Sequence, residues 1–419
     1  MPMIEGWKQT TLGEVVAIID GDRGVNYPKN HEFVNDGYCL FLNAKNVPND
    51  SFSFNEKMFI TQEKDSILGK GKLKRGDFVL TTRGTVGNFA FYSEKVPFDN
   101  IRINSGMVIL RAKDKVIDKG FLKFYLKSHF FTDQVLFLSS GSAQPQLPIR
   151  DLCVFEIQIP PLPEQKAIAA VLSSFDDKIE LLRRQNKTLE AIAQAIFKEW
   201  FVKFKVKGEQ LKLNPKTGLP EGWRRGKVED LCSIIASGGT PSTSNINYYN
   251  GNINWFSTKE LQDNFLLDSD KKITKDGLRN SSAKMFPMGS VVMALYAAPT
   301  VGRLGILGKE STFNQAACGF VANEEVCCYE YIYLYLLQSR IELNNLANGA
   351  AQQNLNVGIV KNFPAVIPTI EIMQSFKAIV VPIFAKKFNN TLQIQTLSKL
   401  RDTLLPKLMK GEIRVKREE

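Results

Sequence analysis

The sequence predicts an α+β chain: two globular domains separated by two long antiparallel coiled-coil helices, the whole forming an internal pseudo-two-fold repeat. Three observations carry this. The chain matches itself when slid by a little over two hundred residues, an internal period that has to be read before any local feature. The first part of each copy alternates short apolar runs with Gly-containing turns, as strands and loops do. The last part of each copy carries apolar residues at three-four spacing, the mark of a long helix with one buried stripe. These signals place the globular domains at 1–160 and 206–369, the first spacer helix at 161–205 and the second at 370–419.

The first globular copy opens with Glu5-Gly6-Trp7-Lys8, and the second with Glu221-Gly222-Trp223-Arg224. A short apolar segment follows in each, Leu12 to Ile19 or Val228 to Ile235, and then a Gly-containing turn. Phe41-Leu42-Asn43-Ala44-Lys45-Asn46-Val47 matches Trp255-Phe256-Ser257-Thr258-Lys259-Glu260-Leu261, an apolar strand end running into a polar loop. Gly76-Asp77-Phe78-Val79-Leu80 leads to Thr85-Val86-Gly87. Gly289-Ser290-Val291-Val292-Met293 leads to Thr300-Val301-Gly302, with two more residues in the second loop. Asn104 corresponds to Asn314, and Gly141-Ser142-Ala143-Gln144 to Gly349-Ala350-Ala351-Gln352, after which the offset stays at 208 residues. Loops therefore vary in the globular half of each copy, while the distal half admits no insertion. A rigid spacer carrying variable units has this signature; a plain duplication with no division of labour is the alternative.

The spacer begins after the Pro-rich stop Ile159-Pro160-Pro161-Leu162-Pro163. From Glu164 to about Lys203 no Pro or Gly interrupts the chain, so one helix of roughly 60 Å is expected. Its stripe is Ile168, Leu172, Phe175, Ile179, Leu182, Asn186, Leu189, Ala193, Ile196 and Trp200, a seam sustained over more than four heptads. Phe376, Val380, Ile383, Ile394, Leu397, Leu404 and Leu408 offer a partner stripe within the chain. Asn186 either sits in the seam and fixes register or turns to solvent. Pro382 and Pro406 are expected to bend or delimit the second helix.

Composition bounds the function. With 44% hydrophobic and 23% charged residues, 419 residues suffice for two ordinary cores. No stretch of about 18 apolar residues exists, and MPMIEGWKQT lacks a signal-peptide layout, so a soluble cytoplasmic protein with no membrane partner is expected. Cys39, Cys153, Cys232, Cys318, Cys327 and Cys328 form no CxxC pair and read as reduced core thiols. Only His31 and His129 are present, too few for a histidine-rich metal site or a hydrolytic triad. The net charge of +11 and pI near 9.2 favour a polyanionic partner, although many basic proteins bind no nucleic acid.

The segment from Ile159 to Phe201, IPPLPEQKAIAAVLSSFDDKIELLRRQNKTLEAIAQAIFKEWF, resembles the central spacer of the specificity (S) subunits of Type I restriction-modification systems. LRDTLLPKLMKGEIRV, Leu400 to Val415, is similar to the end of their distal spacer, and the EGW openings with Ser237-Gly238-Gly239-Thr240-Pro241 resemble the starts of their target-recognition domains. Ile367-Pro368-Thr369-Ile370-Glu371-Ile372-Met373 departs from the pattern, where a PLPEQ-like run would repeat. The resemblance implies a non-catalytic chain whose two domains each read half of a split double-stranded DNA site. It also implies that the spacers hold two modification (methyltransferase) subunits and, through them, restriction subunits. S-adenosylmethionine, ATP and Mg are then expected on the partners and no cofactor on this chain. The residues agree: no NPPF-like or DPPY-like motif and no GxxxxGK[ST] loop occurs, and Gly69-Lys70-Gly71-Lys72 and Asn214-Pro215-Lys216 are incomplete. A specificity component of a related fused methyltransferase-endonuclease, or a protein-binding adaptor, stays open as an alternative.

Base reading needs forked or short polar side chains on loops held by a rigid scaffold. The candidates are Arg23, Asn26, Asn43, Lys45, Asn46, Arg83 and Thr85 in the first domain, and Ser242, Thr243, Ser257, Lys259, Tyr296 and Arg303 in the second. Lys70, Lys72, Lys74, Arg75, Lys271, Lys272 and Lys275 either contact phosphates or form a solvated face. The recurring Gly141–Leu147 (GSAQPQL) and Gly349–Leu355 (GAAQQNL) segments contain Gln residues suited to adenine, but are read as turns that dock the spacers.

Overall fold

The computed structural model describes residues 5–139, 145–296, 299–347 and 354–415. It divides into two compact units, Met1–Lys178 with Leu397–Glu419, and Ile179–Thr396. The divisions fall inside both long helices, so each unit combines one globular copy with a segment of both.

In the first unit the strands are β1 (Lys8–Thr11), β2 (Val16–Asp20), β3 (Cys39–Leu42), β4 (Phe59–Ile60), β5 (Phe78–Thr81), β6 (Phe89–Phe91), β7 (Ile101–Ile103), β8 (Met107–Ala112) and β9 (Glu156–Ile159). One sheet runs β2-β8-β5-β6, all neighbours antiparallel. A second runs β4-β3-β7, with β3 and β7 parallel. Why β5 is an unbroken apolar run follows from burial on both faces. Phe78 and Leu80 face the helices Lys119–Lys127 and His129–Leu138, while Val79 joins Met107 and Ile109 in the core shared with the second sheet. The β1–β9 pair brings the ends of the copy together and delivers the chain to the spacer.

A small hairpin, β10 (Lys205–Val206) and β11 (Glu209–Gln210), precedes the second copy. Its strands are β12 (Arg224–Lys227), β13 (Cys232–Ser237), β14 (Tyr249–Phe256), β15 (Asn264–Leu266), β16 (Lys271–Ile273), β17 (Val291–Ala294), β18 (Leu304–Leu307), β19 (Thr312–Phe313), β20 (Ala317–Ala322) and β21 (Pro364–Ile367). The sheets β13-β20-β17-β18-β15 and β16-β14-β19 and the β12-β21 pair repeat the first topology with one addition, β15, parallel to β18. The two faces of β17 again divide, Val291 and Met293 to one core and Val292 and Ala294 to another.

The first spacer helix is Leu162–Phe197, closed by a wider π turn at Lys198–Val202; the second is Ile370–Met409. Gln165 fastens the first to its domain, accepting from the Asp118 backbone N at 2.7 Å and donating to the carbonyls of Val116 and Pro160 at 3.1 and 2.9 Å. Met373, buried, takes the equivalent place in the second copy, where the PLPEQ pattern fails. Within the first unit Ile168 and Leu172 share a core with Leu408 and Met409, and Asp176 pairs with Arg401 at 2.8 Å, so the helices run antiparallel. Within the second, Phe197 and Trp200 pack on Phe376, again antiparallel. Of the predicted stripe, Ile168, Leu172, Ile179, Leu182, Asn186, Ala193 and Trp200 are buried, and Phe175, Leu189 and Ile196 half-buried. Asn186 lies in the seam, where Asn390 donates to its side-chain oxygen at 2.9 Å.

The second helix differs from the first in two respects. Pro382 and Pro406 lie inside it and do not delimit it. Pro382 is exposed, as is Ala378, whose carbonyl it leaves without a helical donor, so water can satisfy that group. The partner stripe is also not continuously apolar. Between Phe384 and Leu397 the buried positions are Lys387, Asn390 and Thr391, while Ile383 and Ile394 are half-buried. Lys387 donates to Glu190 at 2.5 Å, and the Tyr333 hydroxyl to the other Glu190 oxygen at 2.9 Å. No helix among the described residues is long and apolar enough to cross a membrane.

Candidate nucleic-acid interface

Where β5 ends, three segments of the first domain are tied together. Thr82 N donates to the Gly106 carbonyl at 2.8 Å, Leu147 N donates to the Thr82 carbonyl at 2.9 Å, and Arg83 forms an antiparallel bridge with Gln146. Gly84 follows with φ +76°, a left-handed turn that favours glycine. Gly21, at the end of β2, closes the same region from below: a Cβ there would lie 2.3 Å from the Asn104 carbonyl oxygen, which explains the Gly in this turn. The result is a polar hollow of about 430 Å³ lined by Ala44, Arg83, Asn104, Gly106 and Gln146 among others, none of them acidic. Asn104 holds its floor by accepting from Gly106 N at 2.9 Å.

The second domain repeats the scaffold. Leu355 N donates to the Leu295 carbonyl at 2.8 Å, and Tyr296, exposed, stands where Arg83 stands in the first. At Gly238 a Cβ would lie 2.1 Å from the Phe313 carbonyl oxygen, the counterpart of Gly21.

The structure separates the sequence-predicted contacts. Arg23, Asn26, Lys45, Arg83 and Thr85 are exposed in the first domain, and Ser242, Thr243, Lys259 and Tyr296 in the second. Several are already engaged: Arg23 with Asp20 at 3.1 Å, Lys45 with Glu56 at 2.9 Å, Asn26 with the Ile67 carbonyl at 3.4 Å, and Ser242 with Ser244 at 2.8 Å. Arg303 is half-buried. Asn43 caps a short 3-10 turn, accepting from Lys45 N at 2.9 Å, and Ser257 caps its counterpart, donating to Glu260 at 2.8 Å.

Asn46 is withdrawn as a reader. It is 2% exposed, accepts from Asn43 N, and donates to the carbonyls of Ser53 and Glu56, so its amide organises the loop. Arg75 is withdrawn as a phosphate contact, because its guanidinium binds the carbonyls of Ser93, Val96 and Phe98 and the Asp99 carboxylate. Lys72 pairs with Asp65, and Lys272 with Asp268 at 3.0 Å, while Lys70, Lys74, Lys271 and Lys275 are exposed. Of GSAQPQL, Gly141–Gln144 lies outside the described residues. Pro145 to Leu147 runs beside Thr82 and Arg83, with Gln146 exposed at the hollow and Leu147 buried in the core that Ile168 and Leu172 of the spacer share. Gly349–Gln353 of GAAQQNL also lies outside them.

Sequence reading missed a buried ion pair of the first domain. Arg102, 6% exposed, donates to Asp65 at 2.5 Å and to the carbonyls of Lys70, Asp65 and Leu68. Burial pushes the Asp65 carboxyl up, but Lys72 and Arg102 outweigh it and hold it below the ordinary carboxylate range. All six cysteines are free. Burial pushes the Cys39 and Cys318 thiols up to about 12, as for inert core thiols. Among the described residues no group of three His, Cys, Asp or Glu side chains is placed to hold a metal ion.

Comparison with known proteins places this arrangement among relatives. A family model described as the Type I restriction modification DNA specificity domain matches residues 4–191 and again 220–397. The Type I restriction enzyme MjaIX specificity subunit of Methanocaldococcus jannaschii is 30% identical over 70% of this chain and 69% of its own length. The Type I restriction enzyme HindI specificity subunit of Haemophilus influenzae is 27% identical over 97% of this chain and 99% of its own. The crystal structure of a Type-I restriction-modification system S subunit from M. genitalium covers 97% of this chain and 98% of its own, with a TM-score of 0.60 at 14% identity, a likeness of fold.

Proposed function

The chain belongs to the Type I restriction modification DNA specificity family, and from that membership we propose that it is the specificity subunit of a Type I restriction-modification complex. Each globular copy reads one half of a bipartite, asymmetric double-stranded DNA target. One observation carries this most directly: a single sheet topology occurs twice, with different residues at the same exposed rim, Arg83 in one copy and Tyr296 in the other. A shared scaffold with unlike rims suits two readers of unlike half-sites. Arg23, Asn26, Lys45 and Thr85, and on the second domain Ser242, Thr243 and Lys259, complete the reading rims. Lys70, Lys74, Lys271 and Lys275 are exposed and suited to phosphates, which set register without specifying sequence.

Chemistry in this reading belongs to partners. Two modification subunits bind the spacer helices and methylate with S-adenosylmethionine, and restriction subunits use ATP and Mg, so this chain takes no catalytic step. The complex works in the cytoplasm. The identity of the co-purifying subunit distinguishes a Type I assembly from a fused methyltransferase-endonuclease partner.

Salt dependence of duplex binding by the full chain tests the reading. Affinity is expected to fall linearly on a log-log plot, about tenfold or more between 50 and 200 mM salt, as phosphate contacts release counterions. Salt-independent binding, or none, is the result for a protein adaptor and would overturn the proposal.

A further inference from the structure

Resting on the DNA-reading function above, we propose that Arg83 and Gln146 form a base-reading pair, Arg83 selecting a guanine and Gln146 an adenine at a neighbouring base pair of the first half-site. Three observations converge on these side chains. The first is the state of the arginines. Every other described arginine of the first unit lies 3.3 Å or less from a carboxylate, from Arg23 on Asp20 to Arg414 on Glu164. Arg83 alone among them has no ion pair, and its side chain is exposed.

The second observation is that its backbone is fixed. Thr82 is tied on one side to Gly106 and on the other to Leu147, and Arg83 itself is bridged to Gln146. A free guanidinium on a pinned backbone loses little order on binding, which is what a specific contact requires. The third is the bridge geometry. Residues directly opposite in an antiparallel bridge put their side chains on one face, with Cβ atoms roughly 5 Å apart. That separation is close to the rise of one or two base pairs, about 3.4 Å each.

The donors then match the duplex. A guanidinium donates twice to guanine O6 and N7 in the major groove, and a Gln amide both donates to and accepts from adenine at N6 and N7. The hollow contributes no carboxylate to repel phosphates. In the second copy Tyr296 occupies the Arg83 place, and tyrosine cannot make the forked contact. The guanine contact at this place of the rim is therefore expected in the first half-site only.

The test uses the full chain co-purified with its modification subunit. The wild-type complex first selects its target from a random duplex library, and single base-pair changes are then measured against the variants R83A, R83Q and Q146A. R83A is expected to lose about ten- to a hundredfold discrimination at one G·C position of one block, while the base preferences of the other block are retained. Q146A is expected to relax the adjacent A·T position. R83Q should move the preference at its position from guanine towards adenine, a gain that misfolding cannot mimic. Equal weakening on every duplex would make Arg83 a phosphate contact, and an unchanged base preference would remove it from reading; either overturns the pair while leaving the specificity function standing. Failure of the wild type to enrich any sequence would instead overturn the function beneath it.

Discussion

At the scale of single residues, the first domain shows why side-chain type did not reveal role. Asn46 and Arg75 carry the chemistry of DNA contacts, yet the amide is engaged by carbonyls of its own loop and the guanidinium by carbonyls of the loop after β6. Conversely Asp65 and Arg102 stand 37 residues apart in the sequence, in no motif, and only folding joins them. Each side chain is 7% exposed. Removing one member of such a pair leaves a buried charge, so Asp65→Asn is expected to cost about 3–5 kcal/mol at neutral pH, read from chemical denaturation. The pH dependence follows from the same pair. Because the folded-state carboxyl is held below its unfolded value, Asp65 contributes stability that is full above the ordinary carboxylate range. That contribution is lost as pH falls through that range to the lowered value. Wild-type stability should therefore drop on acidification more steeply than that of Asp65→Asn. Parallel profiles would contradict the assignment.

At the scale of elements, the first spacer helix was legible because it contains neither Pro nor Gly from Glu164 onward and repeats apolar residues at helical spacing. The second was legible as a helix starting at 370, but its continuity through Pro382 and Pro406 was not, since a proline removes one hydrogen bond locally while Phe376, Val380 and Phe384 hold the helix through tertiary packing. Its buried Lys387, Asn390 and Thr391 look like a solvent face in sequence. Their partners Glu190 and Asn186 lie about two hundred residues away and complete the polar seam. Pro382, being exposed, gives a direct check: Pro382→Ala should stabilise the second unit by about 1–3 kcal/mol, seen as a higher thermal midpoint. A lower midpoint would mean that the proline shapes the helix for packing. The β15 strand was illegible for a different reason, as three residues pairing in parallel leave too short a pattern to detect.

At the scale of the whole molecule, the repeat visible in the sequence became a repeated topology with unlike rims and a shared pair of helices. If those helices set the gap between half-sites, lengthening both should lengthen the gap. Four residues inserted after Lys178 and four after Thr396, where the compact units divide, add roughly 6 Å of helix. The gap should grow by about one or two base pairs with both blocks unchanged; an unchanged gap would refute the ruler role. The central claim, that one chain reads two different half-sites through two copies of one domain, is tested most directly by mapping methylated bases genome-wide in cells given this chain and its modification subunit. The account predicts one motif of two unlike blocks around a gap of fixed length and free sequence. A single contiguous motif, a palindrome, or methylation without sequence preference would contradict it.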